Sequence, residues 1–427
     1  MEASPAGARD LDVVVLGASG IAGRNVAAYL TERAGEVDAR WAVAGRDAAK
    51  VERVLAEVGV TAPETIVADV GDPGSLAAMA ARTKVVLDLV GPYTLYGTPV
   101  IEACIANGAH YVDLTGEMPF ARRTIDAFDG RAAAASVKVV QVCGFEALPP
   151  DLAVLLAAET AQERWGEALA AVDVDVLFQP PPGRLRLADS VSGGTLQSGA
   201  EQMDDPEAER VADPAALIPD AELAERVRRA SPIAIAPRFN AQGDVIGPMT
   251  PSAFVNPAVI HRTMALTASR RGAAPEPFRY REGAAMPDGI PTTPLRYAAA
   301  TALSGLQAGF GALSRARPAV RHHAAAAMRR FMPQSGFGPA GAALEDWKWS
   351  LAVTARTANG HHVRVDLDAD GQPGYLTTSR MLGEAGLLLA EDGATLPGGG
   401  CLTPAAALGT DGIDRFARAG LRFRVSS

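Results

Sequence analysis

Apolar positions in the first third of the chain come in short unbroken runs. Val13-Val14-Val15-Leu16 is the first, followed at once by Gly17-Ala18-Ser19-Gly20-Ile21-Ala22-Gly23 and an Ala-rich amphipathic stretch from Asn25 to Leu30. A run without polar alternation marks a strand covered on both faces, as in a parallel sheet. Comparable runs recur at Trp41-Ala42-Val43-Ala44, Thr65-Ile66-Val67-Ala68, Val85-Val86-Leu87-Asp88-Leu89, Tyr111-Val112-Asp113-Leu114 and Val137-Lys138-Val139-Val140-Gln141-Val142-Cys143. Helical segments and turns marked by Gly, Pro or Asp separate them. The pattern predicts an α/β fold, a doubly wound parallel sheet over residues 1–150. Ligands of such a sheet sit beyond the carboxyl ends of its strands.

Past residue 150 the period changes. Val172-Asp173-Val174-Asp175-Val176 alternates, as a half-exposed strand of a mixed or antiparallel sheet does. Segments 350–357 and 362–367 alternate as well and are joined by Ala358-Asn359-Gly360-His361, a hairpin signal. Residues 151–160 read as an apolar helix and 200–230 as a charged, solvated helical region, while Pro and Gly punctuate 231–295 as a loop-rich layer. Helices are expected at 377–390 and 411–419. Segment 297–313 carries no charge and precedes Arg315, Arg317, Arg321, Arg329 and Arg330. It is too short and too diluted by Ser, Thr and Gly to span a bilayer. A helix packed on the second lobe or at a subunit contact is expected, with weak membrane contact beside the arginines as the alternative.

Net charge of −9 argues against a general nucleic-acid binder. Cys104, Cys143 and Cys401 are far apart and form no CxxC pair, which fits a reducing cytosol. The first ten residues are polar and lack the apolar core of a signal peptide, so a cytoplasmic location is expected. No HExxH or GxSxG is present, and the adjacent pairs His322-His323 and His361-His362 point apart, so no metal site is expected.

The glycine spacing after the first strand gives the cofactor reading. Gly17 permits the tight turn, Gly20 lets a pyrophosphate approach the backbone, and Gly23 allows close helix–strand packing. Ala18, Ser19 and Ile21 complete the loop that would hold the phosphates at the positive helix end. The second strand ends in Gly45-Arg46 rather than in the carboxylate that contacts an NAD ribose, so Arg46 points to a 2′-phosphate and to NADP(H). A solvated surface charge is the plainer reading of Arg46. Asp47 either contacts a ribose or caps the next helix. Asp69 at the third strand end either meets the adenine or caps a turn. Gly91-Pro92 after the fourth strand lies where the chain passes the cofactor.

Together these motifs resemble the saccharopine dehydrogenase-like superfamily, most of all its trans-acting enoyl reductase branch. The resemblance rests also on Tyr111 to Glu117, Gly144-Phe145-Glu146-Ala147-Leu148-Pro149-Pro150-Asp151, Ser192-Gly193-Gly194-Thr195, Asp370 to Tyr375 and Gly399 to Ala405. It implies a Rossmann domain (1–150), an inserted α/β mixed-sheet substrate and dimerisation domain (151–375), and C-terminal helices returning to the Rossmann side (376–427). It implies an NADPH-linked reductase. Glu146, Ala147 and Pro150 depart from the family's usual Asp, Ser and Ser, and the 333–339 loop lacks the usual acid. These departures put the substrate in question.

Reduction of an α,β-unsaturated carbonyl needs hydride at the β-carbon, donors to the developing enolate oxygen and a proton at the α-carbon. Tyr93 is a candidate donor or a packing aromatic over the nicotinamide. Asp113 and Glu117 are acid/base candidates or turn and cap residues. Glu146 is a candidate buried acid or a group ordering the following helix. Gly194 and Thr195 offer backbone donors to a substrate or cap a helix, and Tyr375 is a substrate-side candidate. The expected function is reduction of a polyketide- or acyl-derived C=C bond, the substrate free or presented by a carrier protein. A saccharopine-reductase-like enzyme working on a C=N bond, with Arg184, Arg186 and Arg238 as its cations, is one rival. A non-catalytic, lipid-associated nucleotide-binding scaffold is another. A homodimer is left open.

Overall fold

The computed structural model describes residues 9–182, 193–249, 251–331, 344–392 and 398–427. The apolar runs form β1 (Leu11–Leu16), β2 (Trp41–Gly45), β3 (Thr65–Val67), β4 (Thr83–Asp88), β5 (His110–Asp113) and β6 (Lys138–Val140). They alternate with α1 (Ile21–Arg33), α2 (Ala48–Ala56), α3 (Pro73–Arg82), α4 (Tyr93–Asn107) and α5 (Met118–Ala134), and α6 (Leu148–Trp165) follows. The sheet is parallel, in the order β13-β6-β5-β4-β1-β2-β3, where β13 (Gly400–Leu402) arrives from the far end of the chain. Val13, Val14 and Val15 have no exposed surface, because helices cover both faces. Local signals set the helix starts. Asp47 accepts from the Lys50 amide (2.9 Å) and caps α2, and Asp72 caps α3 with Pro73 at its first position.

The second sheet is mixed. Its order is β14 (Leu421–Ser426), β12 (His362–Asp370), β11 (Lys348–Thr357), β7 (Leu169–Gln179), β10 (Arg279–Ala285), β9 (Val245–Gly247) and β8 (Arg238–Phe239). Only β7 and β10 run parallel to each other. Val172, Val174, Val353 and Val365 are buried on its inner face, which packs on α6. Helix α6 is buried around its whole circumference from Leu148 to Leu155 because it lies between this sheet on one side and α9 (Ser252–Arg270) and α13 (Pro404–Leu408) on the other.

Segment 231–295 is not the loop-rich layer that its Pro and Gly content suggests. It contains the nineteen-residue α9, with Pro257 inside it. A proline there removes one backbone hydrogen bond, yet all residues from 252 to 263 are buried, and that burial outweighs the local preference. The uncharged segment is α10 (Thr293–Ser314), packed through Ala300, Ser304, Gln307 and Gly311. Among the described residues no helix is long and apolar enough to cross a membrane. The region expected to be solvated helix resolves into α7 (Gly193–Asp204), a short 3-10 turn at Ala208–Ala212 and α8 (Ala221–Ala230); α11 (Pro318–Phe331) follows α10.

The last part of the chain serves both lobes. Helix α12 (Thr378–Asp392) packs against β1, β4 and α1. Gly386 makes the close approach to β4, where a Cβ would lie 2.9 Å from Leu87. The expected helix at 411–419 is instead a short 3-10 turn (Ile413–Ala417), followed by β14 at the edge of the mixed sheet.

Candidate active site

A cleft of about 1240 Å³ opens at the carboxyl ends of the parallel strands, between the two lobes. Its first wall begins at Ser19, Gly20, Ile21 and Arg24, with Lys50 beside them. The turn before α1 is shaped by two glycines. Gly17 has φ +87°, and a Cβ on Gly23 would lie 2.4 Å from the Gly17 carbonyl oxygen, so no side chain fits there. Gly20 precedes α1 with no side-chain cap, leaving the first amides of the helix without a side-chain acceptor. An uncapped helix start, a cradle that a Cβ would fill and two cations in the wall suit a dinucleotide's phosphates.

Arg46 is exposed just past β2 and has no ion-pair partner among the described residues, but it is not part of the cleft wall. Asp69 accepts from the Gly71 amide (2.9 Å) and forms a turn, away from the wall. Gly91 lines the cleft; Pro92 is the residue preceding α4. Arg24 and Lys50 were not singled out by sequence. A basic residue in the first turn of the helices after β1 and β2 is the signal that could have found them.

The floor consists of Leu89, Gly91, Tyr93, Leu114, Gly116 and Val142, all immediately after β4, β5 and β6. Tyr93 faces the cleft, yet its hydroxyl donates to the Asp88 carbonyl (3.0 Å) and accepts from the Leu114 amide (3.3 Å). Burial raises its phenol well above the ordinary value. Glu117 lies behind the floor. Its carboxylate accepts from the amides of Tyr93 (3.0 Å) and Thr94 (2.7 Å) and from the hydroxyls of Thr94 (2.6 Å) and Ser198 (2.7 Å). It thus caps α4 and ties it to α7. Asp113 is also behind the floor, accepting from the amides of Thr115 (3.0 Å) and Val142 (3.1 Å) and from Tyr111 (3.0 Å). Burial pushes its carboxyl up to about 7 and that of Asp88 to about 8. Val142 has φ +62°, a strained conformation for a β-branched residue, and its amide is held by Asp113.

Glu146 differs from the other acids. It lines the cleft, no hydrogen-bond partner engages it among the described residues, and burial pushes it up to about 7. Its Oε2 stands over Gly116, where a Cβ would lie 3.3 Å away. Behind this wall Glu282 accepts from Asn256 (2.9 and 2.8 Å) and Tyr280 (2.7 Å), and burial pushes it up to about 7 as well.

The second lobe supplies an apolar wall from Phe178, Met249, Phe254, Met286, Phe310 and Trp347. Tyr375 lines it from the turn Pro373–Thr377. Gly194 and Thr195 stand in the first turn of α7, and their side chains lie outside the described residues, as do Arg184, Arg186 and the 333–339 loop. Arg238 is engaged by Asp175 on the mixed sheet rather than by the cleft.

Comparison with known proteins agrees with this geometry. Residues 13–140 match the family described as the saccharopine dehydrogenase NADP binding domain. A Mycobacterium tuberculosis protein that carries the name of a trans-acting enoyl reductase is 34% identical over 100% of this chain and 99% of its own length. The trans-acting enoyl reductase of Mycobacterium leprae is 33% identical over 97% of each chain. The solved homospermidine synthase of Legionella pneumophila, in complex with NAD, aligns with a TM-score of 0.51 at 13% identity, covering 98% of this chain and 91% of that one; it shares the fold. The chain belongs to the saccharopine dehydrogenase-like family, alongside the mycobacterial trans-acting enoyl reductases, and is an NADP-dependent oxidoreductase.

Proposed function

We propose that the protein reduces the C=C bond of an α,β-unsaturated acyl or polyketide-derived carbonyl compound, with Glu146 as proton donor. The reading is carried by one observation: a cleft-lining carboxyl, free of hydrogen-bond partners among the described residues, that burial pushes up to about 7, so that it exchanges a proton near neutrality. When bound, NADPH supplies the hydride taken up at the β-carbon. Its phosphates would be held by the Gly17–Gly23 turn with Ala18, Ser19 and Ile21, with Arg24 and Lys50 in the wall and the exposed Arg46 outside it as the cations for the ribose phosphate. Glu146 gives its proton to the α-carbon and leaves as carboxylate. Charge and atoms balance: one hydride and one proton are added across the double bond.

The apolar second wall excludes water and receives an acyl chain. Asp244 and Asp288 also line that lobe and oppose the carboxylates of a saccharopine-type substrate. The relatives' names support a substrate delivered by another protein, so a carrier-bound acyl thioester is the expected form. The test is NADPH oxidation against enoyl thioesters and enones, with a keto acid plus amino acid as the control panel. Turnover of the first panel alone is expected. Turnover of the second alone would overturn the reading.

A further inference from the structure

Asp88, Tyr111 and Asp113 form a cluster that neither the cofactor cradle nor the proton donor uses. None of the three has exposed surface. The Tyr111 hydroxyl lies 3.2 Å from Asp88 Oδ2 and 3.0 Å from Asp113 Oδ2. A phenol has one hydrogen. It donates to one carboxylate, and the second contact is a hydrogen bond only if the other carboxyl carries a proton and donates to the phenol oxygen. Two bare carboxylates against one hydroxyl would leave one carboxylate oxygen facing the phenol with no hydrogen between them in the interior.

Among the described residues no cation pairs with either acid; Arg9, which acts on neighbouring Cys104, donates to the Thr83 and Asn107 carbonyls instead. Tyr93 and Cys104 face the pair from α4 and Cys143 from the segment after β6, while Glu117 at the start of α5 acts on Tyr93. The uncharged side chain of Gln141 is the polar neighbour of Asp113.

The other oxygen of each acid holds the floor. Asp88 Oδ1 accepts from the Val90 amide (3.0 Å), and Asp113 Oδ1 accepts from Thr115 and from the strained Val142. Three turns, after β4, β5 and β6, are thereby fixed in one register, and their residues are the ones that face the cleft.

We propose that the Asp88 and Asp113 carboxyls share one proton at neutral pH, bridged by the Tyr111 hydroxyl, and that the three act as positioning residues for the floor beneath the cofactor, so that loss of this proton weakens NADPH binding. Burial raises both carboxyls, which agrees with the hydroxyl count.

The experiment is calorimetry of NADPH binding to the full chain from about pH 6.5 to about pH 9.5, in buffers of different ionisation heat. Once the shared proton leaves, Kd should rise toward about tenfold per pH unit, with about one proton taken up on binding. Asp88→Asn and Asp113→Asn each replace the shared proton by an amide N–H to the phenol oxygen. Each single variant should therefore bind NADPH with a flattened alkaline dependence and without that uptake. An uptake that persists unchanged in both belongs to Glu146 and overturns the proposal, as does a wild-type affinity that is flat over the alkaline range. Should neither variant fold, Tyr111→Phe removes the bridge. A Kd-against-pH curve identical to wild type in that variant overturns the proposal, and a displaced one supports it.

Discussion

The two sheets bury their strands in different ways, and the site divides along the same line. In β1 every side chain is covered, since helices lie on both faces of the parallel sheet. In β7 Val172, Val174 and Val176 point inward, while Asp173 and Asp175 point outward to Arg281 and Arg238. A doubly covered sheet can offer chemistry only at its strand ends, and there the first lobe places Asp88, Asp113, Glu117 and Glu146. A half-exposed sheet puts its charges on the outside and offers the cleft an apolar edge, Phe178 and Ala285 among it. The acids at the strand ends come from the first lobe and the apolar wall from the second.

Glu146→Gln tests that division most severely. It keeps the side chain's size and removes the proton. The reduction rate should fall by about 10²–10⁴ in kcat, with NADPH affinity little changed. In the wild type, reduction needs the protonated form, so kcat should be level below about pH 7 and fall above it. A variant with wild-type kcat would place the proton donor elsewhere, in the second lobe or in solvent.

Arg46→Asp comes next. It replaces a guanidinium suited to the 2′-phosphate with a charge that repels it. Because Arg46 stands outside the cleft wall while Arg24 and Lys50 line it, the expected effect is moderate: roughly tenfold on the ratio of NADPH to NADH affinity. An unchanged ratio would assign the phosphate to Lys50 and Arg24 alone. Phe310→Ala probes the opposite wall. It should raise KM for a long-chain enoyl substrate several-fold, by about 1 kcal/mol of lost apolar contact, and leave NADPH binding alone. If NADPH binding fell equally, cofactor and acyl chain would not occupy separate walls.

The lobe with the doubly covered sheet was the more legible in sequence, for the same physical reason. Unbroken apolar runs and fixed glycine spacing are local signals, and the strands and the α1 turn lie where those signals put them. The roles of the acids were not local. Asp113 and Glu117 sit at strand ends, as a catalytic pair would, yet their oxygens are filled by backbone amides from segments more than twenty residues away. Tyr93 loses its availability to two groups on neighbouring turns. In the second lobe, α9 was hidden because Pro257 speaks against a helix locally while burial on all sides decides for one.

The smallest expected effect lies on the outer face of the mixed sheet, and its sign completes the contrast between the lobes. Arg281 donates to Asp173 at 2.6 and 2.9 Å across the parallel pair β7–β10. Burial, the largest single influence, works to raise the Asp173 carboxyl, but the hydrogen bond and charge of Arg281 together with the charges of Arg238 and Arg279 outweigh it and hold the group below its usual range. Both side chains remain partly exposed, 33% and 27%, and Arg279 stands 3.7 Å from the same carboxylate. Arg281→Ala should therefore cost less than about 1 kcal/mol of stability, measured by denaturant unfolding. A carboxyl with a depressed folded pKa stabilises above its unfolded value and loses that contribution as pH falls. The difference between wild type and variant should thus begin to shrink near about pH 4, the unfolded value, and vanish only when pH has fallen below the depressed folded value. Asp88 and Asp113, raised by burial, behave in the opposite sense: their contribution is complete at low pH and is lost as pH climbs through about 7 to 8. Acid should loosen the second lobe's outer face and alkali the first lobe's floor. A variant whose deficit grew on acidification would show that Arg281 acts on the fold by something other than this ion pair.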